Sequence, residues 1–240
     1  MKRLFFFLFL LTGSLLLAQQ PSNSASSPAS SPAPSQPGVT YIFNWPQGIP
    51  WTSYSITVQA DGKTHFSGTP HPDDQNTSTD PVQQDFIMWD NNRQKVFALA
   101  QKLNYFQGNF DAHIKHIAQT GSKTLQYESP QVHGSSTYNY SQNPDVQALN
   151  RLFVGIATTM DYGRKLAFQY RYDKLGLDQR LKELEELQAS HEVEELHIIA
   201  PILRKIAADP NMMNIARQSA THLLHVMAEP DADAGAPGQQ

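Results

Sequence analysis

The chain has no cysteine among its 240 residues. That excludes disulfide staples, iron–sulfur clusters, thiolate zinc sites and a cysteine nucleophile. It has no excess of basic charge either: 18 Lys and Arg stand against 22 Asp and Glu, for a net charge of -4. A nucleic-acid binder ordinarily carries a basic field, so this balance predicts no nucleic-acid partner. Long apolar runs are scarce. The longest unbroken one, Leu4 to Leu11, falls short of the roughly 20 residues a spanning helix needs.

The common catalytic signatures are missing as well. No Gly-x-Ser-x-Gly nucleophile elbow occurs. His191-Glu192 opens like a zinc-protease helix, but Glu195 stands where the second His is required. Gly121-Ser122-Lys123-Thr124 lacks the leading Gly of a phosphate loop, and its Lys does not follow Gly. His133-Gly134-Ser135-Ser136 reads as a turn. No spaced carboxylate pair suggests glycoside chemistry.

What is present begins with an export signal. Lys2 and Arg3 precede the Leu4–Leu11 run, which holds four phenylalanines, and Gly13, Ser14 and Ala18 follow. This predicts a secretory signal peptide over residues 1–18, cleaved rather than retained as an anchor. The protein is then secreted or periplasmic, with no stable membrane span after cleavage. Residues 19–38 carry five prolines and seven serines with no aromatic and no charge, the composition of a linker without a core. Residues 229–240 read as a solvated tail. Asp231, Asp233 and Gly235 start like a calcium loop, but its later ligands are absent.

Between these ends lie a β-rich region, 39–142, and a helical region packed on it, 143–228. Tyr54, Ile56 and Val58 alternate with polar residues, as in a half-buried strand. Asp61-Gly62 then turns the chain. A two-residue turn would put Phe66 on the polar face. A three-residue loop, Ala60-Asp61-Gly62, pairs Ile56 with Phe66 and Val58 with Thr64, with Gly62 at a left-handed bulge. A loop is expected over Pro70–Pro81. Asp90-Asn91-Asn92 offers caps for a helix through Val96 and Leu103, ending near Asn104. Lys123–Glu128 and Ser135–Tyr140 predict two more strands. Asn143-Pro144 starts a long helix striped by Val146, Leu149, Phe153, Ile156 and Met160. Asp178 caps a shorter helix. A further helix is expected from Glu192 to Ala208, with Pro201 kinking or restarting it, and a last one after Asp209-Pro210. The fold class is α+β: an antiparallel β-sheet with one packed helix, followed by a bundle of about four C-terminal helices.

These residues carry a resemblance. Tyr54-Ser55-Ile56-Thr57-Val58, Asp61-Gly62, Phe66 and Gly68, then Val96–Leu103, Tyr105-Phe106 and Lys123–Tyr127, resemble a hairpin–helix–strand arrangement found in uncharacterised secreted bacterial proteins. It covers residues 50–153. The helical half, with Arg171-Tyr172-Asp173-Lys174-Leu175-Gly176-Leu177, resembles envelope-associated hypothetical proteins from acidobacteria-like organisms. The resemblance implies export and an α+β fold, and it brings no catalytic residue.

Among side chains with chemical potential, His113 and His116 are the metal candidates, with His65, His71 or Asp111 as a third ligand. His222 and His225 have the same spacing on a helix rim. Trp45-Pro46-Gln47-Gly48-Ile49-Pro50-Trp51 either covers the sheet or stacks on a sugar or peptide. The six glutamates between Glu183 and Glu195 read as a solvated helix face. Arg171–Lys174 reads as a charged hinge between helices. The sequence therefore points to an exported, noncatalytic binding or structural protein. It needs no cofactor, and its partner is an unknown protein or envelope component. The alternative is a metal-dependent hydrolase using His113 and His116.

Overall fold

The structure, a computed structural model, describes residues 36–74, 78–115 and 117–228. The expected signal peptide, nearly all of the linker, His116 and the C-terminal tail lie outside the described residues. Among the described residues the strands are β1 (Gly38–Asn44), β2 (Trp51–Gln59), β3 (Lys63–Pro70), β4 (Val82–Ile87), β5 (Ser122–Glu128) and β6 (His133–Tyr138). They form a six-stranded sheet in the order β4-β3-β2-β1-β5-β6, with every pairing antiparallel. Helix α1 (Asp90–Lys102) follows β4. Four helices close the chain: α2 (Pro144–Tyr172), α3 (Leu177–Ala189), α4 (Ala200–Ala208) and α5 (Asn214–Ala228).

Period two sorts the sheet into two faces. Val39, Tyr41, Ile56, Val58, Phe66 and Leu125 are fully buried on the inner face. Thr40, Ser55, Thr57, Ser67, Thr124 and Thr137 alternate with that set on the outer face. The β2–β3 hairpin has the register expected from the apolar pattern: Ile56 pairs with Phe66 and Val58 with Thr64. Gly62 takes the left-handed bulge position, at φ 88°. A short 3-10 turn, Asn104–Phe106, sits against β6 closely enough that a Cβ on Gly134 would collide with Tyr105 O.

Helix α2 joins the two halves. Asn143 caps it, its side-chain oxygen accepting from the Asp145 and Val146 N–H groups. Val146, Leu149, Phe153, Ile156 and Met160 pack with the sheet in one apolar cluster. Leu166 belongs to a second cluster with Leu177, Leu181, Leu203 and Leu223. One helix thus anchors both cores. No helix among the described residues is long and apolar enough to cross a membrane.

Several expectations need correction. Strands β1 and β4 are not among the strands expected from the sequence, and both are paired. No single helix spans Glu192–Ala208. Glu195 is left-handed (φ 55°), a 3-10 turn covers Leu196–Ile199, and α4 starts at Ala200 with Pro201 in its first turn. Proline restarts the helix there, because its missing N–H costs nothing in a first turn. Asp209 does not cap α5, which starts later at Asn214. Its carboxylate accepts instead from Asn211 N–H (2.9 Å) and the Tyr170 hydroxyl (3.0 Å). The acidic run is not wholly solvated, because Glu195 is fully buried.

Candidate functional site

A groove opens where the end of the sheet meets α2. Cross-strand pairing builds its floor. Tyr54 on β2 opposes Phe43 on β1, Phe43 opposes Lys123 on β5, and Lys123 opposes Tyr138 on β6. Directly opposed residues share a face. One inner-face row therefore runs Tyr54–Phe43–Lys123–Tyr138, an ammonium set among three aromatic rings. Two of the rings touch: Phe43 stacks on Tyr54 with centroids 5.0 Å apart.

The β1–β2 connection forms one wall. Its Trp45 and Ile49 stand over the groove, and Trp51 enters the core at the start of β2. Trp51 is fixed from three sides. Its indole N–H donates to Ala157 O (3.1 Å), its ring meets Phe66 edge-on, and the Arg164 guanidinium lies 4.8 Å from its centre. Helix α2 forms the other wall through Val154, Ala157, Thr158 and Asp161. The apolar part holds about 490 Å³. A second hollow of about 310 Å³ adjoins it across Lys123 and Thr120. Its walls include Tyr138, Gln147, Asn150 and Arg151. Gln147 to Asp161 on α2 spans about 21 Å at 1.5 Å per residue.

Lys123 dominates the electrostatics. Its ammonium donates to Asn139 O (2.9 Å), Gly121 O (3.2 Å), Thr120 Oγ1 (3.2 Å) and Thr120 O (3.4 Å), and lies 5.9 Å from the Phe43 ring centre. These acceptors are all neutral, and no carboxylate among the described residues is ion-paired with it. Burial pulls its pKa below the usual lysine value. Tyr41 donates its hydroxyl proton to Asn150 Oδ1 (2.8 Å). The Tyr138 hydroxyl is buried without a hydrogen-bond partner among the described residues, and burial raises its pKa.

The strand expected from Lys123 onward forms as β5, which begins one residue earlier at Ser122. The parity of Lys123 with Leu125 and Tyr127 was the signal that it faces inward. The Trp45–Trp51 segment does both things considered for it, covering the sheet end and presenting rings to a groove.

At the far end, Asp161 joins a buried charge cluster. Arg164 bonds Asp161 and Asp74, and Lys165 Nζ lies 2.7 Å from Asp161 Oδ2 and 3.6 Å from Asp74 Oδ2. This cluster pins the β3–β4 connection to α2.

The histidines are dispersed. His113 sits in an exposed loop at φ 48°, its Nε2 2.9 Å from Asn109 Nδ2. Asp111 accepts from the backbone N–H groups of Asn139 (2.8 Å) and His113 (2.7 Å), which hold its carboxyl below the usual range. His116 lies outside the described residues. His65 pairs with Asp85 on the outer face of the sheet (2.6 Å). His71 accepts from Asp73 N–H in the loop after β3, and His222 pairs with Glu185 (3.1 Å). Among the described residues no three His, Asp or Glu side chains gather to hold a metal ion.

No protein-family model matches the chain, and no curated protein matches it. The arrangement itself carries the chemistry: apolar walls, one desolvated cation and a few fixed polar groups. That combination suits holding a ligand in a set orientation. The two threonine hydroxyls that line the groove are hydrogen-bonded within the protein. Thr158 donates to Val154 O, and Thr120 Oγ1 contacts Asn139 and Lys123.

Proposed function

We propose that this is an exported, noncatalytic binding protein whose site is the groove between α2 and the sheet end. The row Tyr54–Phe43–Lys123–Tyr138 carries the reading. A sheet that turns aromatic rings and a lone ammonium toward a concave opening is shaped for an elongated amphipathic ligand. A volume of about 490 Å³ falls in the range of small-molecule sites, roughly 300–1,000 Å³. No hydroxyl in the groove is hydrogen-bonded to a histidine or carboxylate among the described residues. Export rests on Lys2, Arg3 and the Leu4–Leu11 run.

The neutral fluorophore N-phenyl-1-naphthylamine tests the groove. Its fluorescence should rise saturably with the wild-type protein. Val154→Trp places a ring in the opening from a partly exposed position on α2. It should weaken binding at least about tenfold, the effect of losing roughly 1.4 kcal/mol of contact, with an unchanged thermal midpoint. No saturable rise, or equal binding by the variant, overturns the reading. For export, the mass of protein recovered outside the cytoplasm should correspond to loss of the first 18 or so residues. Recovery of the intact chain from the cytoplasm alone contradicts it.

A further inference from the structure

Resting on that reading of the groove, we infer that the hollow beyond Lys123 is a carboxylate subsite, and that the ligand is a small amphipathic carboxylate. Its aromatic or acyl body lies along Phe43, Trp51 and Val154. Its carboxylate sits between Lys123, Arg151 and the Tyr138 hydroxyl.

Three independent observations place the negative group there. First, Lys123 is an inward-facing ammonium with no acidic partner among the described residues, and three of its four contacts are 3.2 Å or longer. Three N–H groups shared among four neutral acceptors leave room for a stronger one. A carboxylate can displace the long Thr120 contacts without disturbing the short bond to Asn139 O. Second, Arg151 lines the same hollow from α2, so two cations face one space that no carboxylate among the described residues lines. Third, Tyr138 lines that hollow, and its buried hydroxyl has no partner among the described residues. An orphaned buried donor is costly, and an acceptor held in the hollow that Tyr138 lines would satisfy it. Gln147 and Asn150 add amide groups to the same wall.

Geometry then selects the ligand. The apolar groove meets the polar hollow at Lys123 and Thr120, which line both. A molecule occupying both must therefore carry its charge at one end of an apolar body. The combined space suits one ring or a short acyl chain. A free aromatic acid and the C-terminal residue of a peptide present the same chemistry.

Calorimetric titration with paired probes tests this on the intact protein. The pairs are 3-phenylpropionate against 3-phenylpropionamide, and glycyl-glycyl-phenylalanine against its C-terminal amide. Each acid should bind at least about tenfold more tightly than its amide, the worth of one charged hydrogen bond. The pair with the larger ratio identifies the source. Lys123→Met should erase the acid preference while leaving amide binding in place. Tyr138→Phe should reduce acid binding about tenfold and leave the thermal midpoint equal or higher, since the lost hydroxyl satisfies nothing in the fold. If Lys123→Met fails to fold, Tyr138→Phe and Arg151→Gln still report. Acid and amide binding equally well would overturn the subsite while the groove reading stands. If no probe binds and the neutral fluorophore also fails, both readings fall.

Discussion

Replacing Glu195 by Gln is expected to remove most of the stability that the protein loses as pH rises from about 4.5 to about 7. Glu195 is fully buried at the junction between α1 and the helical half. Its Oε2 accepts the Trp89 N–H (3.0 Å) and its Oε1 accepts from Asn92 Nδ2 (2.8 Å). These two donors favour the ionised form. No Lys or Arg among the described residues pairs with it, so burial wins, and its pKa is pushed up to about 7 from an ordinary 4.5. The folded chain therefore binds a proton that the unfolded chain releases across this interval. The stabilisation is complete below about pH 4.5 and is lost as pH climbs through 7. A shift of this size corresponds to about 3 kcal/mol.

His197 adds a term of opposite sense. Burial holds its pKa below the usual histidine value. The folded state resists its protonation, so its contribution is present above about pH 6.5 and falls as the pH drops below that. Its Nδ1 is buried 3.3 Å from Glu195 Oε2 without a formed hydrogen bond. Protonated Glu195 has the proton this nitrogen lacks. Below about pH 7 Glu195 is mostly protonated, so it meets His197 there as a neutral acid and not as an ion-pair partner. Unfolding free energies from urea titrations at pH 5, 6, 7 and 8 test this account. Wild type should lose stability with rising pH. Glu195→Gln should reverse the slope between pH 5 and about 6.5, because the His197 effect, of opposite sign, acts there. A variant that keeps the wild-type slope removes Glu195 as its origin.

Glu195 also marks where sequence pattern stops being informative. It ends a run of six glutamates, and composition alone makes such a run a solvated face. Its burial depends on Trp89 and Asn92, over a hundred residues earlier in the chain. The β2–β3 register was legible because its determinants are local: the parity of Ile56, Val58 and Phe66, and a Gly that accepts a left-handed bulge. Strand β4 was not. On Val-Gln-Gln-Asp-Phe-Ile at the sheet edge, most residues face water and the apolar alternation is weak. The candidate site was half legible. Lys123 shares the parity of Leu125 and Tyr127, and Trp45 and Trp51 stand out in composition. Their convergence with α2 depends on long-range packing that no spacing records. The histidine pairs show the converse. Separations of three residues are easy to see and say nothing of where the rings point. His113 ends up bonded to Asn109 in an exposed loop.

Arg164→Met is expected to destabilise the protein by about 3–5 kcal/mol, the cost of stranding buried carboxylates. Arg164 bonds Asp161 and Asp74, reaches Ser78 O (3.2 Å) and covers one face of Trp51. Both carboxylates of this cluster are buried, and the two cations that hold them are largely covered. Lys165 cannot compensate alone, because it is already 2.7 Å from Asp161 and only 3.6 Å from Asp74. Removing Arg164 thus leaves Asp74 nearly unpaired and unpins the β3–β4 connection. Asp74→Leu/Arg164→Met removes the pair together and should recover part of the loss, since an apolar replacement strands no charge at Asp74. Urea unfolding of wild type, both single variants and the double variant gives the coupling energy. A value above about 1.5 kcal/mol is expected for groups in one buried network. Limited proteolysis should cut between residues 70 and 81 in the single variants first. Because Arg164 also holds Trp51, the same substitution should weaken the groove probe and shift tryptophan emission. Additive losses with an unchanged Trp51 signal would mean that the cluster neither pins the loop nor shapes the groove.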